Sequence, residues 1–263
     1  MRLVIAAARY TEEHNAPAMA LTEMFKLEKG AATVRVPKVG QMTVATVVDG
    51  QEIMNEQEIG MTSVDLTSSG IAAVVVLTDK LIRQSQPNVW AMVGRQLGDA
   101  HARREDTDVI ALYTSLNGGT TLGASAKIMT AVNLAGCIAF AKSGKFGTQV
   151  YINHHPNAIA RFVMAAAVMG ASATVSPTYP IPDGWSADLL KNFFSNLRPM
   201  NGVPIFEDGN IVLGTASIGV IADKSALATL RSKEVTTEKE RKARLIGWEV
   251  VVSSDYGVFE LDD

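Results

Sequence analysis

Hydrophobic and polar residues change their spacing several times along the chain, and each change predicts an element. Near the start, Asn15-Ala16-Pro17 predicts a helix entrance, with Asn15 as cap and Pro17 in the first turn. Leu21, Met24 and Phe25 share a face with Ala18 at helical spacing, and Gly30 supplies a stop. From Thr33 the period falls to two. Val34 and Val36 alternate with Arg35 and Pro37, and Met42, Val44, Thr46 and Val48 continue one face up to the turn dipeptide Asp49-Gly50. A polar stretch from Gln51 to Gly60 carries Glu52, Glu56 and Glu58; Met61, Val64, Leu66 and the run Ile71 to Leu77 follow. Residues 33–77 therefore predict a long β-hairpin with a polar tip, and Pro37 marks an edge or a bend. Two isolated strands are marginally stable in water, so such an arm needs a surface to lie on.

The next rhythm is helical. Ser85-Gln86-Pro87-Asn88 is a start signal, and Val89, Val93, Leu97 and Ala100 line one face. Val109, Leu112, Tyr113 and Leu116 resume that face beyond the charged patch Arg103-Arg104-Glu105-Asp106, and Asn117-Gly118-Gly119 ends it. A helix from Pro87 to Leu116 would be roughly 45 Å long at ~1.5 Å per residue, with Gly94 and Gly98 as places for a break or bend. Residues 124–143 predict a second, small-residue helix, Thr148 to Ile152 a strand, and His155-Pro156-Asn157 the opening of another helix. Pro180, Pro182 and Gly184 mark a loop before a helix around Leu189 to Leu197. Short strands are expected at Val203 to Phe206 and Ile211 to Leu213, around Asp208-Gly209. The end is β-rich: Ile218 to Ala222, Ala228 to Lys233, Arg244 to Val252 and Gly257 to Leu261, with the mixed-sign run Glu238 to Lys242 as a solvated strand rim or turn. The fold class expected from these elements is α+β.

Composition narrows the class. Of 263 residues, 47% are apolar, enough for a sizeable core, while charged residues are 19%, below the ~25% usual for soluble domains. That shortfall fits a surface partly covered by other subunits, and fits equally a compact monomer with a large core. The net charge of -3 provides no global positive field to hold nucleic acid. Cys137 is the only cysteine, so an intramolecular disulfide and a four-cysteine zinc site are both excluded. A cytoplasmic origin fits, and its apolar surroundings from Leu134 to Phe140 suggest a small buried hydrophobe. The apolar run near Met1 is closed by Arg9 before it reaches the length of a signal core, and no stretch approaches the ~20 residues of a membrane span. Neither secretion nor membrane insertion is expected.

Candidate chemistry is sparse. His154-His155 lacks helical metal-ligand spacing and a third ligand, and is better explained as a strand-to-helix junction. Gly144-Lys145 has Ala139 where a phosphate loop needs glycine and Phe146 where it needs Ser or Thr. Ser217 lacks the glycine two residues earlier that a nucleophile elbow requires. Glu105, Asp106 and Asp108 could form a carboxylate cluster, but the adjacent Arg103 and Arg104 point to an ion-paired surface. No catalytic residue, metal ligand or cofactor-binding residue is expected.

The order of elements, a short arm, a long hairpin, a long helix, a mixed α/β segment and closing strands, resembles the major capsid proteins of tailed phages, whose Hong Kong 97-like fold is shared with encapsulins. Leu66 to Ser85 resembles the return strand of that family's extended loop, and Asn88 to Leu116 its spine helix. Val150 to Phe162 resembles a strand-then-helix of its axial domain, Leu197 to Asn210 its late turn, and Ile211 to Leu261 its final strands. The resemblance implies an N-terminal arm over 1–32, an extended hairpin loop over 33–77, and a spine helix with the first part of a peripheral domain over 78–123. It further implies an axial domain over 124–215 and C-terminal strands over 216–263 that complete the peripheral domain. It implies self-assembly into hexamers and pentamers of an icosahedral shell around double-stranded DNA, in a virion assembled in the host cytoplasm. The partners it suggests are a portal, a decoration protein and a separate scaffolding protein; with only the lead of residues 1–32 before the hairpin, the expectation is that scaffolding is separate, is unnecessary, or has been removed by processing. The residues expected at subunit interfaces are Arg35, Lys38, Asp49, Gly50, Glu52, Glu56 and Trp90. An encapsulin-like compartment holding cargo enzymes, and a small-molecule α/β enzyme, are the alternatives.

Overall fold

The computed structural model describes residues 16–39, 46, 49, 60–84, 89–116, 118, 131–143, 150–160, 203–212 and 218–261. The N-terminal lead does not form the expected helix. Among the described residues of the lead only one turn, α1 (Pro17–Ala20), is helical, and the chain then extends into β1 (Glu23–Lys26). Helical spacing was real at Leu21, Met24 and Phe25, but a tertiary partner overrides it. β1 lies parallel on the edge of β8 (Leu227–Lys242), pairing Glu23 with Ala228 and Lys26 with Arg231. Asn15, expected as the helix cap, lies outside the described residues.

A two-stranded antiparallel hairpin follows, β2 (Thr33–Val39) against β3 (Met61–Thr67). The hairpin ends sooner than the expected residue 77. After Ser68 the chain enters β4 (Ser69–Thr78), which pairs with β9 (Gly247–Glu260) in a different sheet. The period-two pattern runs through both strands, so it could not reveal the change of partner. Leu66 marks the junction: it is fully buried and packs on Ala228 and Leu230 of β8. Gly257 of β9 lies beneath this crossing, where a Cβ would collide with the carbonyl oxygen of Thr67.

Four strands in the order β1-β8-β9-β4 form the main sheet. Its frame is one long hairpin, β8 and β9, where shorter separate strands were expected. Glu238 to Lys242 belong to β8 rather than to a turn. The reversal is at Ala243–Leu245, and Ile246 takes a left-handed conformation, φ 46°, rare for a β-branched residue. Its carbonyl accepts the N–H of Asp79, tying the tip to the start of α2 (Asp79–Gln84).

The long helix α3 (Val89–Leu112) has 24 residues, about 36 Å at ~1.5 Å per residue, and passes through Gly94 and Gly98 without interruption. Val93 and Leu97 pack on Leu77, Val250 and Val252 of the sheet. Ala100, expected on the same face, is exposed; the buried stripe runs instead through His101, Ala102, Glu105 and Asp106 to Val109. A second sheet, β6-β5-β7, holds β5 (Val150–His154) between parallel β6 (Ile205–Glu207) and antiparallel β7 (Val220–Asp223). Helix α4 (Ala131–Ser143) covers it with Leu134, Ile138 and Ala141 on Val150, Ile152, Val203 and Ile205. Ile211 and Val212 are not a strand; Ile211 is buried beside Val109, Tyr113 and Tyr151 instead. Cys137 on α4 is half-buried rather than enclosed, and burial pushes its thiol pKa up. The expected helix at 189–197 and residues 124–130 lie outside the described residues.

Candidate subunit-interface site

Two of the seven expected interface residues, Arg35 and Lys38, sit on β2 of the hairpin. Arg35 and Asp65 face each other in register, and the guanidinium donates twice to the carboxylate, at 2.7 and 3.0 Å. The pair lowers the Asp65 pKa, chiefly through that hydrogen bond. Both side chains are open to water, so the pair adds little to stability and remains available to a neighbour. Lys38 lies three residues further along β2, on the opposite face by strand alternation, and is exposed, as is Asp49. Gly50, Glu52 and Glu56, the rest of the expected tip, lie outside the described residues.

Trp90 is spoken for within the chain. The Lys239 ammonium sits 4.0 Å from the Trp90 ring centre and 4.1 Å from that of Trp248. Arg241 also approaches Trp248, at 5.4 Å, and bonds Asp79 at 3.2 Å. This stack joins the start of α3 to the β8–β9 hairpin through cation–π contacts, each worth about 0.5–1 kcal/mol at exposed positions.

Apolar residues that the sequence reading did not single out are exposed close by. On β4 burial alternates, leaving Val74 55% and Val76 41% exposed at the edge of the main sheet. Leu245 and Ile246 at the hairpin tip and Leu81 on α2 are exposed as well. Alternation in Ala72-Ala73-Val74-Val75-Val76 is invisible in sequence, because both faces carry apolar side chains.

The charged patch on α3 is not the surface cluster expected. Asp108 does pair with Arg104 at 3.1 Å and accepts from Tyr256 Oη at 2.6 Å. Glu105 and Asp106, however, turn inward and are 1% and 0% exposed. Arg231 of β8 reaches Glu105 at 2.8 Å, and Ser254 donates to the same carboxylate. His101, also buried, contacts the Val252 carbonyl and the Ser254 hydroxyl. Asp106 accepts from the Ala18 N–H at 2.9 Å and from the Asn210 amide at 2.8 Å. A shallow polar cleft opens beside it, lined by Pro17, Asp99, Arg103, Glu207, Asp208, Gly209 and Asn210.

His154 and His155 do form a strand-to-helix junction. β5 ends at His154 and a helix begins at Pro156. The His154 ring packs on Gly219, and burial, then the nearby His155, lowers its pKa. Among the described residues no group of three or more metal-ligating side chains occurs. Among them, too, no helix is long and apolar enough to cross a membrane.

The arm, hairpin, long helix and closing sheet together define a mixed α/β fold of the kind built into tailed-phage capsids, and solved structures carry the same fold over nearly the whole chain. The capsid of cyanophage P-SCSP1u matches with a TM-score of 0.64 at 16% identity, over 92% of this chain and 84% of that one. The mature capsid of bacteriophage PhiM1 matches with a TM-score of 0.62 at 16% identity, over 94% and 84%. The capsid of a native GTA particle matches with a TM-score of 0.65 at 13% identity, over 93% and 86%. No protein-family model and no curated protein sequence matches the chain.

Proposed function

We propose that this chain is a major capsid protein, assembling into hexamers and pentamers of an icosahedral shell that encloses double-stranded DNA. The observation that carries this reading is the agreement of fold with phage capsids across 92–94% of the chain. The subunit's own design supports it. Exposed apolar residues on β4 and at the β8–β9 tip leave surface for neighbours, and many modest interfaces of this kind can be closed by symmetry.

In this reading α3 is the spine, and the main sheet with α2 forms a peripheral domain. The sheet β6-β5-β7 with α4 belongs to an axial domain that runs to Asp223, because β7 pairs with β5. The hairpin β2–β3 is the extended loop, and its tip from Asp49 to Glu58 lies on a neighbouring subunit. Arg35 and Lys38 contribute at its base, whereas Trp90 acts by stiffening the subunit. The product is a virion shell assembled in the host cytoplasm, with scaffolding, portal and decoration proteins as further partners. The chain binds DNA by enclosure, without a sequence-reading surface, and catalyses nothing.

Deleting Gln51 to Glu58 tests the loop's role. The variant should keep the circular dichroism and thermal transition of the parent while losing the ability to form closed particles in electron micrographs. Normal shells from the deletion variant would remove the tip from the assembly mechanism.

A further inference from the structure

We propose that the Asp106 and Asp208 carboxyls form a proton-operated latch fastening the N-terminal segment, residues 16–26, to α3 and to the turn at 208–210. The device belongs to the subunit's own fold and does not depend on the assembly proposal.

Both carboxyls are 0% exposed. Asp106 Oδ1 receives the backbone N–H of Ala18 and Oδ2 receives the Asn210 side-chain amide. Asp208 Oδ1 receives the Asn210 backbone N–H at 2.8 Å, and its Oδ2 the Asn153 amide at 3.4 Å. Every one of these donors is neutral. Among the described residues neither carboxyl has a salt-bridge partner, in contrast to Glu105 one position earlier, which has Arg231. Two desolvated like charges joined through Asn210 are costly, and protonating Asp106 removes one of them.

Among the described residues no cation forms a salt bridge with either carboxyl, although Arg103 lines the cleft beside them. From α3 come Tyr113, whose hydroxyl meets Asn153 at 2.9 Å, and Arg103 and Asp99 at the cleft rim. From the end of β6 comes Glu207, also at the rim. From β5 come Tyr151 and His154, whose carbonyl accepts the Asp208 N–H at 3.1 Å. Burial raises the pKa of both tyrosines, so both stay neutral. Burial, aided by the negative charge of Asp208, pushes Asp106 up to about 7 against the hydrogen bonds of Asn210 and Ala18. The His154 pKa is shifted the other way, below its ordinary value.

The sign follows from linkage. Asp106 binds its proton more tightly in the closed state than when the segment opens to water. The stabilisation is therefore full below the ordinary carboxylate range and is lost as pH rises through about 7. The segment, with β1 at its end, is held firmly in mild acid and loosens through neutrality.

Hydrogen exchange of the full chain, read by mass spectrometry and corrected for intrinsic chemistry, measures this directly. Protection of residues 16–26 should fall roughly tenfold or more between pH 5.5 and 8.5, while that of β9 holds steady. D106N and D208N each remove one charge of the pair, and either should flatten the dependence; two variants guard against one failing to fold. Protection that is level with pH in the parent, or that keeps the parent's slope in a folded variant, would overturn the latch. A slope confined below pH 6.5 would point to His154 and would equally overturn it.

Discussion

At the scale of single residues, the instructive pair is Glu105 and Arg231, separated by 126 positions. Helical periodicity treats a run such as Arg103-Arg104-Glu105-Asp106 as an exposed face, because an unpaired charge is rarely buried. Half of that expectation holds, at Arg104 and Asp108. The other half fails because β8 delivers a guanidinium to a place the local sequence cannot reveal. Arg231 is itself 16% exposed in its side chain, so the pair is largely withdrawn from water. Removing one member of such a pair leaves the other uncompensated. Glu105→Ala should therefore destabilise the chain by about 3–5 kcal/mol, measured by denaturant unfolding. A loss under 1 kcal/mol would mean that Arg231 finds solvent and that the pair contributes little. Trp90 teaches the complementary lesson. Its large ring suggested an interface anchor, yet the ammonium it stacks on arrives from Lys239, in a run that in sequence resembles a solvated rim.

At the scale of elements, legibility depends on whether the pattern names a partner. The long helix was readable because Val89, Val93 and Leu97 repeat at helical spacing, and its observed bounds differ only at the ends. The β2–β3 strands were readable from alternation, with Thr33 to Val39 pairing Met61 to Thr67. Where β3 gives way to β4 was not, since alternation continues while the sheet changes. β1 was misread because a four-residue parallel edge strand gains its conformation from β8. Gly257 fixes the crossing of these elements. It admits the Thr67 backbone where any side chain would collide with a carbonyl that cannot swing aside. Gly257→Ala should lower the thermal midpoint by several degrees, corresponding to about 1–3 kcal/mol of overpacking. An unchanged midpoint would show that β3 can shift away from β9 at no cost.

At the scale of the whole molecule, sequence order revealed more than any motif did. Each stretch from Leu66 to Leu261 is unspecific alone, and the two phage capsids and the GTA capsid with the same fold are only 13–16% identical to it. What persists is the overall fold. Which apolar residues stay exposed was less legible, because both faces of β4 carry apolar side chains. Val74 and Val76 carry the same residue types as the buried Val250 and Val252, and only the fold separates exposed from enclosed.

Self-assembly is measured by light scattering on the purified chain, with electron microscopy of the same fractions. Rings of five or six subunits or megadalton shells are expected, growing with protein concentration and with crowding agents. A single species at the chain mass of 28.1 kDa under all those conditions would contradict it.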